Sequence, residues 1–345
     1  MNSSRLLVAT LAALIAGTAV AALCPASAAA AGGPILVTAM PDGEGIDSPD
    51  GSTRYATVSA GETTVVKVMK GSGEIASMTY AGSTEKGQFG IPQVAADGST
   101  SGLSADGKTL VLIKSSLPYG NPDRSKFVVL GTNRLHVKNR ITLKGQYSFD
   151  AISPDGRTAY VVEYPQPFRY DRYRVLRLDL KTDRLAKEPI ADEDVGLDEE
   201  EDGKGVAGEM RGTALSRVGS EDGSWAYTLY DGGGDVPFIH ALDTVGDKAV
   251  CVFLPQLQSL ERRELSKMTL TGGPDAGTIS VLDRHGTTLA VVDTADFSVT
   301  TPADEPAAGA AGFPSIAVIA VVVLVAAGVI ALVAIRRRRR RAVAV

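Results

Sequence analysis

The chain has 345 residues, of which 44% are hydrophobic, so it is long enough to bury one sizeable core. Seven of its basic residues, Arg5 and the arginines at 336–341, lie at the two ends, and without them 28 basic residues oppose 40 acidic ones. The resulting charge of −12 repels phosphate backbones and argues against a nucleic-acid partner.

Residues 1–31 predict a secretory signal peptide. A single basic residue, Arg5, precedes an apolar run at 6–23, and small residues at 26–30 offer cleavage sites. A lipoprotein anchored through Cys24 is the alternative, which the bulky Leu23 disfavours. Cleavage leaves Cys251 without a disulfide partner in the chain, and its apolar surroundings at 249–254 predict a buried, inert thiol.

Residues 32–300 contain a repeated tight turn that is followed by a strand. Ser153-Pro154-Asp155-Gly156 precedes the strand-like run 157–162, and Asp and Gly are the residues that such turns favour. Similar turns contain Asp50, Asp106 and Asp222, and a degenerate copy lies at 283–286. The turns recur every 49 to 67 residues, close to the 40–50 residues of a propeller blade.

Other short strand-like runs lie between these turns, and helical periodicity is nearly absent. The further predicted strands are 35–39, 63–69, 74–80, 126–130, 136–143, 172–180, 185–190, 236–242, 248–254, 277–282 and 297–300. We therefore predict an all-β fold. The long repeat favours a β-propeller of five to seven blades over a β-sandwich.

The turn-and-strand phrase at 153–162 resembles the repeats of TolB-type and YVTN-type bacterial β-propellers. The stretch from Met210 to Cys251, which includes 225–232 and 237–244, is similar to a family of uncharacterised actinobacterial proteins that are secreted and membrane-anchored. These resemblances imply a propeller fold and an extracytoplasmic location. They imply no activity.

The C-terminal region predicts a membrane anchor. Residues 301–312 are rich in Pro, Ala and Gly and are typical of a flexible stalk, and residues 313–335 form an uncharged apolar run that is long enough to cross a bilayer. The arginine-rich segment 336–345 follows and places the C-terminus in the cytoplasm, with the N-terminal domain outside the cell membrane. No LPxTG-like motif precedes the apolar run, so we expect a permanent helix rather than a sorting signal.

An acidic loop carries the one metal motif that the sequence suggests. Asp198, Glu200, Asp202 and Glu209 fit the spacing of an EF-hand calcium loop, with Glu200 in place of Asp or Asn. Helices are not predicted on either side, so a solvated acidic loop is the alternative. The GxGxxG pattern at 203–208 has no flanking strand and helix and does not predict a dinucleotide site.

A second candidate site is aromatic. Trp225, Tyr227, His240 and Asp243 lie within about twenty residues and are suited to lining a ligand pocket on a propeller face. The alternative is that Trp225 and Tyr227, two residues apart on one strand, pack between sheets. The chain has no GxSxG or HExxH motif, so no catalytic residue is predicted.

These features together predict a membrane-anchored extracytoplasmic binding or scaffold module without catalytic activity. Its expected partner is a protein or glycan of the cell envelope, since propeller loops suit such recognition. The alternatives are a propeller-type hydrolase or lyase of the gluconolactonase kind with a calcium site, and a structural envelope protein without a ligand.

Overall fold

Short runs of β-branched and aromatic residues form the strands of this protein, and Gly and Asp occupy many of its turns. The structure, a computed structural model, describes residues 45–302 except 60–62, 71, 74, 83–88, 115–123, 166–171, 193–207 and 274–276. The predicted signal peptide, the strand at 35–39, the transmembrane helix, the tail and most of the stalk lie outside the described residues. Within the described part, no helix has the length and apolar character needed to cross a membrane.

Five four-stranded antiparallel sheets make up most of the described chain. Sheet 1 contains β1 (Ile46–Asp47), β2 (Thr53–Ser59), β3 (Thr63–Met69) and β4 (Ile75–Gly82). Sheet 2 contains β5 (Phe89–Gly90), β6 (Thr109–Lys114), β7 (Arg124–Gly131) and β8 (His136–Lys144). Sheet 3 contains β9 (Tyr147–Ile152), β10 (Thr158–Glu163), β11 (Arg172–Asp179) and β12 (Met210–Arg211). Sheet 4 contains β13 (Ala214–Gly219), β14 (Trp225–Tyr230), β15 (Phe238–Asp243) and β16 (Lys248–Phe253). Sheet 5 contains β17 (Thr269–Gly272), β18 (Thr278–Leu282), β19 (Thr288–Asp293) and β20 (Val299–Thr300).

Helical structure is short in the described residues. The α-helix α1 (Arg262–Leu265) and a 3₁₀ turn at Pro255–Leu257 connect sheet 4 to sheet 5, and another 3₁₀ turn lies at Gly232–Gly234. The prediction of an all-β fold is confirmed. An arrangement of four-stranded antiparallel sheets that follow one another along the chain is consistent with a β-propeller.

Within each sheet, every strand pairs with the strand that follows it in sequence. Because successive strands run in opposite directions, the connections between first and second strands and between third and fourth strands lie along the same side of the sheet, where the strands begin or end. We call this the turn edge. The connections between second and third strands lie at the opposite edge.

The strand β11 buries apolar side chains on both of its faces. Tyr173 and Val175 are buried toward sheet 4, and Leu176 and Leu178 are buried toward sheet 2, whereas Arg177 is exposed. The strand predicted over 172–180 is confirmed as β11. A fully buried side chain of this kind contributes roughly 1.5–3 kcal/mol.

Hydrophobic clusters join neighbouring sheets in chain order. Tyr55 packs with Leu110 between sheets 1 and 2. The next three pairs of neighbouring sheets share one cluster each. These clusters contain Phe127 and Phe149 (sheets 2 and 3), Tyr173 and Tyr230 (sheets 3 and 4), and Leu229 and Val281 (sheets 4 and 5). No hydrophobic cluster of the described residues joins sheet 5 to sheet 1.

Four of the predicted Asp-Gly turns occupy the same place in their sheets, between the first and second strands. In the turn of sheet 3, the Ser153 hydroxyl donates to Asp155 Oδ1 at 2.7 Å, and the Ser153 N–H donates to the Thr158 carbonyl at 2.9 Å. Gly156 has φ +66°, a left-handed conformation that glycine adopts without strain. The equivalent N–H groups of Ser48, Ser104 and Ser220 also donate to the carbonyl five residues later.

The fifth predicted turn is present at 283–286, and a strand follows it, but its predicted equivalence to the other four is wrong, because it joins the second and third strands of sheet 5. The equivalent turn begins at Gly273, whose N–H donates to the carbonyl of Thr278, five residues later, at 2.8 Å. The Thr294 N–H donates to the Gly277 carbonyl at 2.8 Å, as the Thr244 N–H does to Ser224 in sheet 4. Residues 274–276 of this turn lie outside the described part of the chain.

The predicted strand at 185–190 is also wrong. It makes two isolated bridges to β11, Leu178 with Leu185 and Val175 with Ile190. Pro189 has no N–H to donate to a continuous ladder. The fourth strand of sheet 3 is instead β12, which pairs Met210 with Tyr173.

A small hairpin, residues 93–100, lies between β5 and β6 and reaches another sheet. Gln93 bridges Thr100, and the Val94 N–H donates to the Ser99 carbonyl at 2.8 Å. The N–H groups of Ala96 and Asp97 donate to the carbonyls of Ala214 and Leu215 on β13, both at 3.0 Å. This inserted hairpin therefore links sheet 2 to sheet 4.

Candidate functional site

Most of the predicted calcium loop lies outside the described residues. Asp198, Glu200 and Asp202 belong to the segment 193–207, so their prediction stays a prediction. Glu209 is described: its side chain is 7% exposed, and its Oε1 lies 3.7 Å from Nη1 of Arg172. No group of three or more His, Cys, Asp or Glu side chains in the described part is placed to hold a metal ion.

Trp225 and Tyr227 lie on the same face of β14, as their spacing predicts. Their rings are nearly parallel, with centroids 6.0 Å apart, and the ring of Phe297 is 5.5 Å from Trp225. All three belong to the hydrophobic cluster between sheets 4 and 5. These aromatic rings therefore pack sheet against sheet.

His240 and Asp243 lie on the neighbouring strand β15, with Asp243 directly opposite Trp225. The His240 ring is 6.4 Å from that of Tyr230, which packs against sheet 3, so His240 lies on the face opposite Trp225. Asp243 accepts hydrogen bonds from the N–H groups of Val245 and Gly246 and closes the turn after β15. The structure does not bring the four predicted residues into one pocket.

Burial disfavours the charged forms of His240 and of its cross-strand neighbour Cys251. His240 is 1% exposed, and burial lowers its pKa to about 4, so the ring is neutral at pH 7. Burial raises the pKa of the Cys251 thiol to about 12, and the Cys251 N–H donates to Asp192 Oδ2 at 2.6 Å. Neither side chain is set up as a base or nucleophile near neutral pH.

An ion pair joins the first strands of sheets 3 and 4. Arg217 on β13 donates through Nη1 to the Asp150 carbonyl at 3.0 Å, and its Nη2 pairs with Asp150 Oδ1. The two side chains are 8% and 3% exposed. A buried pair of this kind compensates two charges that are each expensive to desolvate.

Asp150 also lines a small internal cavity. The cavity has a volume of about 40 Å³ and is bounded by residues 93–95 of the inserted hairpin and by Ser148, Tyr164, Tyr173 and Tyr230. That space accommodates about three water molecules. Pockets for organic ligands usually have roughly 300–1,000 Å³, so this cavity is too small for a substrate.

A larger depression of about 290 Å³ lies at the turn edges of sheets 1 to 4, and we call it the turn cleft. Arg217 belongs to its lining, so the ion pair separates the cleft from the small cavity. Residues from the four sheets and the hairpin segment contribute further: Asp47, Pro49, Thr100, Ser101, Ser104, Ala105, Ile152, Ser220, Glu221, Gly223 and Trp225. The turn cleft is the candidate binding site.

The polar groups of the turn cleft differ in their availability. The hydroxyls of Ser104 and Ser220 donate within their own turns, to Asp106 and Asp222, at 2.6 Å each. These bonds shape the rim, and the bond from Ser220 is the largest cause that lowers the pKa of Asp222 to about 2. The exposed Glu221 and the half-buried Thr100 and Ser101 contribute a carboxylate and two hydroxyls to the lining.

The turn cleft was not predicted from sequence, although the repeated turns are a signal for it. The Asp-Gly turns follow equivalent strands, and equivalent connections of neighbouring sheets lie at the same edge. The turns therefore approach one another, as Gly156 does Thr109 and Gly223 does Ala105. The contribution of Thr100 and Ser101 depends on the inserted hairpin, which has no motif.

Solved structures similar to this chain include β-propellers. TolB from Acinetobacter baumannii is 13% identical, with a TM-score of 0.37, and the match covers 70% of this chain and 51% of that one. The β-propeller domain of Cps50 (Swd1) from Myceliophteria thermophila is 10% identical, with a TM-score of 0.41 and coverages of 74% and 69%. The acylaminoacyl peptidase of Pyrococcus horikoshii is 9% identical, with a TM-score of 0.42 and coverages of 76% and 38%.

The chain thus spans about half the length of that TolB structure. No protein-family model and no curated protein matches the chain. Identities and TM-scores this low assign neither a family nor an activity.

Proposed function

We propose that this protein is a non-catalytic binding or scaffold module of the cell envelope, with a five-bladed propeller as its recognition domain. The observation that carries the proposal is the turn cleft, which four sheets and a hairpin build together. Its volume of about 290 Å³ is near the lower end of ligand pockets and fits a side chain or a sugar unit of a larger partner.

The chemistry of the described lining residues supports binding rather than catalysis. The lining contains hydroxyls, carboxylates and one arginine, and no histidine or cysteine among the described residues. Arg217 is already held by Asp150. The hydroxyls of Ser104 and Ser220 donate to Asp106 and Asp222, whose carboxyl pKa values are lowered, and such carboxylates are weak bases for activating a hydroxyl.

The location outside the cell is part of the proposal and rests on the sequence. The apolar run 313–335 and the arginines that follow it support a single C-terminal anchor, and residues 1–31 support export. A protein or glycan of the envelope is then the partner class.

Capture of partners by the full-length chain from native membranes tests the proposal. Glu221→Lys reverses a charge in the cleft, Ser101→Trp fills it, and Glu188→Lys makes the same charge change at an exposed position outside it. We expect one protein or glycan to be retained by the parent chain and by Glu188→Lys. It should be lost from the two cleft variants, as measured by mass spectrometry of cross-linked proteins and released glycans. Equal retention by all four chains would show that the cleft is not the binding site.

Calcium distinguishes this proposal from the hydrolase or lyase alternative. We expect the melting temperature of the full chain to be the same with calcium and with a chelator. A rise on adding calcium that Glu209→Gln abolishes would favour the enzyme with a calcium site. The quantity compared is the calcium-induced change in each chain, because Glu209 also pairs with Arg172 and its substitution shifts the baseline.

A further inference from the structure

We propose that sheet 2 carries a second binding surface, for a linear polyanion whose charged groups are phosphates. The surface consists of Arg124 and Lys126 on β7 and Arg140 and Lys144 on β8, and we call it the basic patch. It goes beyond the proposed function because it lies on another part of the molecule than the turn cleft and selects a different ligand chemistry.

Strand register brings the four cations together. Arg124 lies directly opposite Lys144, Lys126 opposite Thr142, and Arg140 opposite Val128. Cβ atoms of such opposite residues are about 5 Å apart, and residues two apart on one strand are about 7 Å apart. The patch is therefore a compact block of four cations.

The four cationic side chains lie on one face of sheet 2, the face toward sheet 1. Val128 shares that face and belongs to the hydrophobic cluster between sheets 1 and 2. Arg140 supports this placement, because its guanidinium donates to the carbonyl of Ala81 on β4. Arg124, Arg140 and Lys144 are exposed, and Lys126 is half-buried.

The charges of the patch are not neutralised within the described part of the chain. None of its four side chains forms an ion pair with a described carboxylate, although ten other ion pairs involve Lys or Arg there. Like charges directly opposite each other in a sheet are destabilising. The facing sheet adds another cation, since Lys67 lies over the ring of Tyr55 at 5.6 Å. Such a surface attracts an anion locally, because salt screens the net charge of −12 beyond a Debye length of about 8–10 Å.

The arrangement favours phosphates over single carboxylates. A phosphate offers several acceptor oxygens, so cations on adjacent strands can contact it from different sides, and guanidinium groups match it bidentately. A linear polymer places further phosphates along the strands, where Arg124 and Lys126 are about 7 Å apart on β7, and Arg140 and Lys144 are about 13 Å apart on β8.

An acidic peptide that adds to the edge of β8 as a strand is less favoured. The Arg140 N–H already has a hydrogen-bond partner, because it donates to Oδ1 of the neighbouring Asn139 side chain at 2.8 Å. Part of the backbone edge is thereby closed to strand addition. The side chains of the patch, rather than the backbone, are left to bind.

Binding of long-chain inorganic polyphosphate to the detergent-solubilised full chain tests the inference. All chains carry serine at 336–341, so that the arginine-rich tail does not contribute. Arg124→Gln with Lys144→Gln removes two charges of the patch and the repulsion between them. Lys181→Gln with Lys187→Gln removes two exposed charges elsewhere and is the matched control.

We expect the patch variant to bind polyphosphate at least about tenfold more weakly at low salt, and to show a shallower dependence of affinity on salt, because fewer counterions are released. The control variant should bind like the parent. Equal binding by patch and control variants would overturn the inference and leave the cations as protection of an exposed edge strand. Patch-dependent binding to vesicles of anionic lipid or to an acidic peptide, without binding to polyphosphate, would also overturn it. Because these variants leave the turn cleft intact, either proposal can fail without the other.

Discussion

Asp150 and Arg217 show what single residues contribute in the interior of this protein. Their charges satisfy each other across two sheets, and the remaining Asp150 Oδ2 and Arg217 Nε have no hydrogen-bond partner among the described residues. Each charge would be unfavourable alone, because the pair is more than nine-tenths buried. The pair therefore fixes how sheets 3 and 4 meet.

Removing one partner should be more damaging than removing both. We expect Asp150→Ala to lower the free energy of unfolding by about 3–5 kcal/mol, since it leaves the Arg217 charge buried without a counter-charge. Asp150→Leu combined with Arg217→Met should be less destabilising than either single change. Urea denaturation measures these values; a single-variant loss below about 1 kcal/mol would mean that water reaches the pair.

His240 should make stability depend on pH in the acid range. Its pKa is about 4 in the folded protein, because the ring is buried, and about 6.5 in an unfolded chain. Above pH 6.5 neither state binds the proton. Between pH 6.5 and 4 the unfolded chain binds a proton that the folded chain excludes, so stability falls as the pH falls, by about 3 kcal/mol in total.

Comparison of the parent chain with His240→Leu isolates this contribution from that of the carboxylates. The difference in free energy of unfolding between the two chains should change over pH 6.5 to 4 and be constant above pH 7. A difference that stays constant over the whole range would show that His240 takes up a proton equally in both states.

The repeated turn is the informative feature at the scale of elements. It places a Ser, an Asp and a Gly where the first strand ends and the second begins, and the same hydrogen bonds recur in four sheets. The neighbourhoods of the four turns nevertheless differ. A Cβ atom on Gly156 would lie 2.5 Å from Thr109, whereas one on Gly51 would meet nothing within 4 Å.

These two glycines form a matched pair for substitution, because both have φ +66°. We expect Gly51→Ala to lower the free energy of unfolding by about 1–2 kcal/mol, the strain of a left-handed alanine. Gly156→Ala should lower it by a further 1–3 kcal/mol, because the added methyl group collides with the turn-edge residue Thr109 of sheet 2. Equal losses in urea denaturation would mean that the turns are not packed against each other.

Whether a strand could be predicted from sequence depended on what surrounds its polar side chains. The strand β11 is apolar on both faces but carries charged residues among its apolar ones, and it was predicted from sequence. The first strand of each sheet was missed: β9 is buried at every position although it includes Ser148 and Asp150. Its polar side chains contact other protein groups, Ser148 the Tyr164 hydroxyl and Asp150 the Arg217 guanidinium, so no alternation marks it. The candidate site was also not predicted, because it depends on contacts between turns that are distant in sequence.

At the scale of the whole molecule, the sheets form a chain of neighbours, each joined to the next by its own hydrophobic cluster. The period of the turns predicted this succession, because each interval holds one four-stranded unit. Which sheets meet beyond their sequence neighbours was not predictable, since it depends on the inserted hairpin and on the ion pair of Asp150.

The proposed anchor makes a prediction for the intact cell. Protease added outside spheroplasts should digest the domain at 32–300 and leave a C-terminal epitope tag protected, because the arginines at 336–341 keep that end in the cytoplasm. A chain that lacks residues 313–341 should appear in the medium. Retention of that shortened chain in the membrane fraction, or digestion of the tag in intact spheroplasts, would contradict the proposed topology.

The inserted hairpin ties the order of folding to the order of synthesis. Its hydroxyl contact from Ser99 to the carbonyl of Arg217 closes a loop of 118 residues. At translation rates of about 5–20 residues per second, the hairpin is made roughly 6–24 seconds before the strand on which it docks. Contacts of such long range form late and slow the folding of a domain. Sheet 2 of this protein therefore stays incompletely covered until sheet 4, the second sheet after it, has been synthesised.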